Sequence, residues 1–137
     1  DGSKHEKYFL SEGDLVFTTK STKVKIAVAN NISNKNIIVS GSMMIVRPNS
    51  KIINPIYLKM FFESNQGRKI LDKIQKGSIT TTITLDDFKS LMIPCPPMEV
   101  QRKYVFSYKE LQEEYEIKKK ELEIIQSKIN DLFNALN

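Results

Sequence analysis

The first half of the chain carries short stretches of apolar and polar residues that are typical of β-strands. Residues 15–17 form an apolar run after a Gly-Asp turn, which predicts a short buried strand. Residues 23–28 alternate between apolar and basic or small side chains, which predicts a half-buried strand with a basic outer edge. Two more apolar runs, 37–39 and 43–46, complete the pattern of an antiparallel sheet.

The pattern changes to helical spacing between residues 54 and 74. Asn54 followed by Pro55 is a favourable helix start, because asparagine caps well and proline is tolerated in the first turn. Gly67 predicts an interruption, after which Ile70, Leu71 and Ile74 continue on a second helix or a bent extension. The first helix carries an apolar stripe made of Tyr57, Leu58, Phe61 and Phe62.

The stretch 79–85 predicts a strand with hydroxyl groups on its open face. One side of this strand would carry Ile79, Thr81, Ile83 and Leu85, and the other side would carry Thr80, Thr82 and Thr84. Asp86 and Asp87 are expected to cap one short turn that follows. The globular part should then end, because the prolines at 94, 96 and 97 are incompatible with helix or central strand.

From Met98 onward the chain has neither proline nor glycine, and apolar residues recur at alternating spacings of four and three, which is typical of a coiled coil. A helix of about 35 residues is on the order of 50 Å long, more than a small domain can cover. We therefore expect this seam to meet another helix, in a second copy, in another protein or in a missing part of the parent chain. The seam consists of Tyr104, Tyr108, Leu111, Tyr115, Lys118, Leu122, Ile125, Ile129, Leu132 and Leu136.

Lys118 is the exception among the ten seam positions. Its long side chain could leave the seam and pair with Glu114 or Glu121, each about one turn away. A polar residue in a seam can also penalise misaligned helix pairs. The pattern leaves both interpretations open.

Charge is distributed unevenly along the chain, whose net charge is +5. Residues 1–97 contain 14 basic and 8 acidic side chains, while residues 98–137 contain 7 and 8. A basic globular part favours a polyanionic partner, of which nucleic acid is the commonest in a cytoplasm. An ordinary lysine-rich soluble surface remains the alternative.

Several functions are disfavoured by the residues present. The single cysteine excludes a disulfide framework and a multi-cysteine metal site, and it favours a reducing cytoplasm. The single histidine has no partner pattern for catalysis, and no phosphate-binding Gly-Lys-Thr loop occurs. No apolar run reaches the roughly 18 residues of a membrane span. We therefore predict a soluble cytoplasmic protein without enzyme activity, cofactor, metal or membrane contact.

Several short motifs occur in a fixed order: Gly13-Asp14-Leu15, Pro55-x-Tyr57-Leu58, Gly77-Ser78, Leu91-x-Ile93-Pro94-x-Pro96-Pro97 and Gln101. Together with the long helix they resemble the distal part of a target recognition domain, and the conserved helix, of type I restriction-modification specificity (S) subunits. The resemblance covers essentially the whole chain. It implies that a recognition domain of this kind normally has more chain before the Gly-Asp strand, so that the sequence is N-terminally short.

The resemblance implies a DNA target recognition domain at 1–97 and a spacer or dimerisation helix at 98–137. The expected fold is α+β: a small, mostly antiparallel β-rich head with short helices, then one long C-terminal coiled-coil helix. The implied partners are double-stranded DNA, a methyltransferase (M) subunit, and a second recognition domain or a second copy paired through the helix. A restriction (R) subunit is a further candidate partner.

Base recognition needs hydrogen-bonding side chains on a rigid frame and cations for the phosphates. Two segments offer both, although each could also be an ordinary solvated loop or strand face. The candidate DNA-binding residues are Lys20, Ser21, Thr22, Lys23, Lys25, Lys76, Gly77, Ser78, Thr80 and Thr82. Two other functions remain open: a coiled-coil dimerising interaction protein with a basic head, and the recognition region of a fused methyltransferase-nuclease.

Overall fold

The computed structural model describes residues 9–32, 36–77 and 82–136. In these residues the α+β class predicted from the sequence is confirmed, with a small antiparallel sheet, short helices and one long C-terminal helix. The chain separates into two compact units, Asp1–Arg102 and Lys103–Asn137. The elements are β1 (Leu15–Thr18), β2 (Ile26–Val28), β3 (Met43–Val46), α1 (Pro55–Glu63), α2 (Asn65–Ile74), α3 (Leu85–Lys89) and α4 (Met98–Asn134).

The sheet is antiparallel with β1 in the centre, in the order β2-β1-β3. Phe17 of β1 lies opposite Ile26 of β2 and Met44 of β3. Leu15 and Phe17 are completely buried, because alternate side chains of a strand share one face. The alternation predicted in the stretch 23–28 is confirmed, since Val24 and Ile26 are buried and the residues between and after them are exposed.

The apolar run 37–39 does not join this sheet, contrary to the prediction. Ile38 forms only an isolated bridge with Phe9 and is 57% exposed. A turn closed by a hydrogen bond of 3.0 Å from the Met43 nitrogen to the Ser40 oxygen separates the run from β3. The run has strand propensity, but among the described residues no strand lies beside it to pair with.

Helix α1 begins at the Asn54-Pro55 pair, as predicted. The Asn54 side-chain oxygen accepts hydrogen bonds from the backbone nitrogens of Ile56 at 2.8 Å and Tyr57 at 3.3 Å. These bonds satisfy two of the donors that a helix start leaves free. The predicted apolar stripe is buried against the rest of the unit: Tyr57, Leu58, Phe61 and Phe62.

The break between α1 and α2 lies at Ser64, not at Gly67 as predicted. The Ser64 nitrogen donates to the carbonyl oxygens at the end of α1, and its hydroxyl accepts from the Gly67 nitrogen at 3.2 Å, which caps α2. Gly67 lies inside α2, where a Cβ atom would be 2.0 Å from the carbonyl oxygen of Phe61. Glycine is therefore needed here for the close approach of two backbones rather than to interrupt a helix.

Of the predicted strand 79–85, residues 79–81 lie outside the described residues, Thr82 forms isolated bridges, and Thr84 is the N-cap of α3. The Thr84 hydroxyl accepts from the Asp87 nitrogen at 3.2 Å and donates to the Asp87 carboxylate at 2.8 Å. Asp86 and Asp87 are thus not the cap but occupy the first turn of α3. Their negative charge is favourable there, because it lies at the positive end of the helix dipole. Local capping prevailed over the strand pattern because it satisfies a free helix donor.

An aromatic cluster joins the sheet to α1 and α3. The ring of Phe17 lies 5.4 Å from that of Phe62 and 5.2 Å from that of Phe88, both in edge-on geometry. Such pairs contribute about 0.5–1.5 kcal/mol beyond the area they bury. This cluster fixes α3, and with it Asp87, relative to the sheet.

Helix α4 is continuous from Met98 to Asn134 and starts where the proline-rich exit predicts. Leu136, the last predicted seam residue, lies two residues beyond the end of the helix. Across the described ranges, no helix has both the length and the apolar character that a membrane span requires.

Candidate nucleic-acid interface and helix seam

The two predicted DNA-binding segments are neighbours in the structure. Lys76 and Thr82 exchange backbone hydrogen bonds of 2.9 and 2.8 Å, and Thr82 also forms a bridge with Lys20. The Ile83 nitrogen donates to the Thr19 oxygen at 3.1 Å, which extends the pairing. The loop after β1 and the residues around Lys76 therefore share one edge of the unit. Two other candidates, Ser78 and Thr80, lie outside the described residues.

Backbone and side-chain hydrogen bonds hold the loop between β1 and β2. The Thr18 hydroxyl accepts from the Lys25 nitrogen at 2.9 Å. The Ser21 hydroxyl accepts from the Lys23 nitrogen at 3.1 Å and also donates to the Lys23 carbonyl. The Gln75 side chain donates to the Ser21 carbonyl at 3.3 Å and ties the loop to the end of α2. The loop is thus a supported turn, and the Ser21 hydroxyl is engaged within it.

Three of the candidate lysines carry charges that have no ion-pair partner among the described residues. They are Lys20, Lys23 and Lys25, and all three are exposed. Thr22 is exposed on the same loop. Cations that are not neutralised by a neighbour are available for phosphate groups.

Lys76 differs from these lysines because its ammonium group lies 2.9 Å from the Asp87 carboxylate. Hydrogen bonds from Lys76 and from Thr84 lower the pKa of Asp87 below its usual value. This depressed pKa adds stability above the unfolded-state pKa of about 3.9, and the contribution is lost as pH falls through the folded-state value. The next residue, Gly77, has a positive φ of 118°, a conformation that favours glycine.

The Gly-Asp motif before β1 is a buried structural cluster. Asp14 is only 1% exposed, and its two carboxylate oxygens each lie 2.8 Å from a nitrogen of Arg47. The Ser11 nitrogen donates to the same carboxylate at 2.7 Å. The sequence contained no signal for Arg47, because its partner is 33 residues away. Asp14 therefore holds the start of β1, since a buried charge needs such pairing.

The seam of α4 is exposed except at Tyr108, which is half-buried. Leu122 is 66% exposed, Ile125 53% and Ile129 51%. Side chains of this kind are usually buried, so a long exposed row of them indicates a surface that another helix can cover. The Lys118 ammonium group lies 2.8 Å from Glu114, and this contact raises the pKa of Lys118 and lowers that of Glu114.

Groups suited to catalysis do not gather in the described part of the chain. It contains no cluster of three histidine, cysteine, aspartate or glutamate side chains that could hold a metal ion. An open cleft of about 740 Å³ lies beside β3, and its described lining carries no titratable side chain. The lining is mostly apolar and includes Thr19, Met43, Met44, Ile83 and Leu85.

A basic α+β unit with a supported polar loop, continued by a helix with an exposed seam, is the arrangement expected of a protein that recognises a partner. A sequence profile for type I restriction modification DNA specificity domains matches residues 2–127. The chain belongs to this family, which confirms the resemblance seen in the motifs. Its members give DNA specificity to type I systems and are non-catalytic, and membership implies binding to DNA and association with the M subunit. Among curated proteins, no sequence matches the chain.

Proposed function

We propose that this chain reads one half of a bipartite DNA sequence, and that α4 acts as a spacer and as a docking surface for the methyltransferase subunit. Residues 1–97 form the recognition domain and residues 98–137 the helical spacer. The observation that carries the proposal is the meeting of the loop after β1 with the pair Lys76 and Thr82 on one edge of a basic unit. The protein acts in the cytoplasm, where its single cysteine stays reduced.

Docking onto DNA is driven by electrostatic attraction to the phosphates. The excess of basic residues in 1–97 supplies the general field, and the lysines at 20, 23 and 25 supply local contacts. Each neutralised phosphate releases counterions, so affinity must fall steeply as salt rises.

Sequence is read by polar side chains on the same edge. Thr22 offers an exposed hydroxyl, whereas the hydroxyl of Ser21 is engaged by Lys23 and serves to shape the loop. Each well-placed base contact contributes about 1–3 kcal/mol of discrimination. Backbone pairing to Lys20 and Lys76 holds Thr82 in place, so a base contact there would start from an ordered position.

The seam of α4 pairs with a second such helix, from another copy or from a second recognition domain. When two identical seams run antiparallel with Tyr108 aligned to Leu132, eight seam positions of each helix meet. In that register Lys118 of each helix lies opposite Leu122 of the other, and Glu114 flanks Lys128 of the partner helix.

The central test is selection of bound DNA from a random duplex library by the complete complex. We expect a bipartite site of two short sequences separated by a spacer of constant length. Binding that shows neither sequence enrichment nor dependence on salt would contradict the proposal. A dimerising interaction protein would show neither sequence enrichment nor salt dependence. A fused methyltransferase-nuclease chain would be revealed by the full gene.

Replacing both Lys20 and Lys23 by alanine should weaken binding to every duplex. Loss of two phosphate contacts should reduce the slope of log affinity against log salt by about 1.8. Filter binding of selected and random duplexes between low and moderate salt measures this. The double variant Lys119→Ala and Lys120→Ala removes the same charge from α4, and it should leave the slope unchanged. If the slope of log affinity against log salt is the same in both double variants, the loop after β1 does not contact the phosphates.

Replacing Asp87 by asparagine should strengthen DNA binding, because Asp87 competes with phosphate for the ammonium group of Lys76. The salt slope should become steeper by up to about 0.9, the value expected for one additional phosphate contact. Asp86→Asn is the matched control, since it removes the same charge from the same turn and Asp86 is exposed. If both variants change DNA affinity equally, the change comes from the altered net charge, and Lys76 makes no separate contact with a phosphate.

A further inference from the structure

Gln101 is the fully buried polar side chain of the first turn of α4, with 0% exposure. Its amide nitrogen donates to the carbonyl oxygens of Pro96 at 2.8 Å and Ile52 at 3.0 Å. Its amide oxygen accepts from the backbone nitrogen of Asn54 at 2.8 Å. One side chain thus joins the start of α4 to the proline-rich exit and to the segment that leads into α1.

The backbone nitrogen of Asn54, which donates to Gln101, is itself held in place. The Asn54 side chain caps α1, so its backbone nitrogen is held where the first turn of that helix begins. The hydroxyl of Tyr57, one turn into α1, donates to the carbonyl of Pro94 at 3.1 Å. Two hydrogen-bonding side chains therefore connect the start of α1 with the residues that lead into α4, and all of them belong to the first unit.

The chemistry of this position requires an amide. A primary amide supplies two donors and an acceptor at one point, and the three backbone groups around Gln101 use all three. A glutamate would lose both donors and bury a charge, while a methionine would fill the volume without any hydrogen bond. Stabilising the core does not by itself require these three hydrogen bonds, because an apolar side chain of similar size can stabilise a core as well or better.

We propose that Gln101 is a positioning residue, a joint that fixes the first turn of α4 on the DNA recognition unit so that the helix transmits a constant distance to its partner. The inference rests on the proposed role of α4 as a spacer. It goes further because it assigns the accuracy of that spacing to one side chain that touches neither DNA nor the helix partner.

The test is Gln101→Met in the complete complex, with duplexes that carry the selected site. One duplex has the selected spacer, a second has a spacer one base pair longer, and a third has a single half-site. One added base pair moves the second half-site by about 3.4 Å along the duplex. The wild-type complex should bind the longer spacer at least about 10-fold more weakly. The variant should bind the half-site normally, but its spacer discrimination should fall below about 3-fold.

Gln126→Met is the matched control, because Gln126 lies on the same helix, is exposed and is not a seam residue. It should keep the wild-type spacer preference. Gln101→Glu is the second variant; it keeps the acceptor and loses the donors, so it should also relax the spacer preference. Thermal melting of each variant is recorded in parallel.

Unchanged spacer discrimination in both Gln101 variants would overturn the inference. Parallel loss of melting cooperativity and half-site binding would overturn it as well, because Gln101 would then only hold the fold. A wild-type complex without any spacer preference would instead contradict the proposed function itself, and the inference with it.

Discussion

Replacing Gly67 by alanine is expected to destabilise the recognition unit by about 3 kcal/mol or more. The added Cβ would lie 2.0 Å from the Phe61 carbonyl oxygen and 2.5 Å from the Phe62 Cα atom. Both are backbone atoms of α1, so the clash can be relieved only by separating the two helices. Alanine's better helix propensity offsets only about 1 kcal/mol. Against a total stability of about 5–15 kcal/mol, this loss is large.

Urea unfolding of the variant, followed by circular dichroism, measures the change in the free energy of unfolding. Gly41→Ala is the control, since a Cβ atom there meets no atom within 4 Å and Gly41 does not have a positive φ. That substitution should stay within about 0.5 kcal/mol of the wild type. Equal stability of the two variants would show that α1 and α2 do not approach as closely as described.

Replacing Leu122 and Ile125 by asparagine is expected to separate α4 from its partner helix. Full burial of one such side chain contributes about 1.5–3 kcal/mol, and a pair of identical helices would lose four of them. Pairing should weaken by at least about 100-fold, since each 1.4 kcal/mol is a factor of ten. Analytical ultracentrifugation of the chain measures the loss if the partner is a second copy. In the complete complex, the affinity for the two-part DNA site should fall while half-site affinity remains.

The control places the same chemistry on the other side of α4. Ile117 and Ile124 are 53% and 56% exposed, as exposed as the seam residues, but they lie outside the seam spacing. Replacing both by asparagine makes the same change in polarity on the same helix, so it should leave pairing intact. If both double variants pair equally well, the seam does not mediate association. If both lose pairing, the contact surface is wider than the seam.

Sequence pattern alone predicted the elements whose signals are local. The start of α1 at Asn54-Pro55, the strands β1 to β3 and the start of α4 at Met98 were all predicted correctly. Each depends on periodicity, on a cap or on a proline stop within a few residues. The motifs also identified the family, although they did not reveal what their residues do.

The wrong predictions lie where two local signals competed or where no partner was available. Thr84 fits both a threonine strand and a helix cap, and the cap prevailed through its bonds to Asp87. The run 37–39 has strand composition, but within residues 9–32, 36–77 and 82–136 its only bridge is the one between Ile38 and Phe9. Glycine is typical of a helix break, but Gly67 is not where the break lies. The backbone nitrogen of Ser64 ends α1 and its hydroxyl caps α2.

The sequence by itself determined the class of fold, the family, the basic character of residues 1–97 and the apolar seam of the long helix. Composition, short motifs and periodicity all act over short distances along the chain. Only the tertiary structure decided which residues meet. Lys20 lies beside Thr82, Lys76 is paired with Asp87, Asp14 with Arg47, and Gln101 joins three backbone segments. Such contacts depend on packing between distant parts of the chain, which no local pattern encodes.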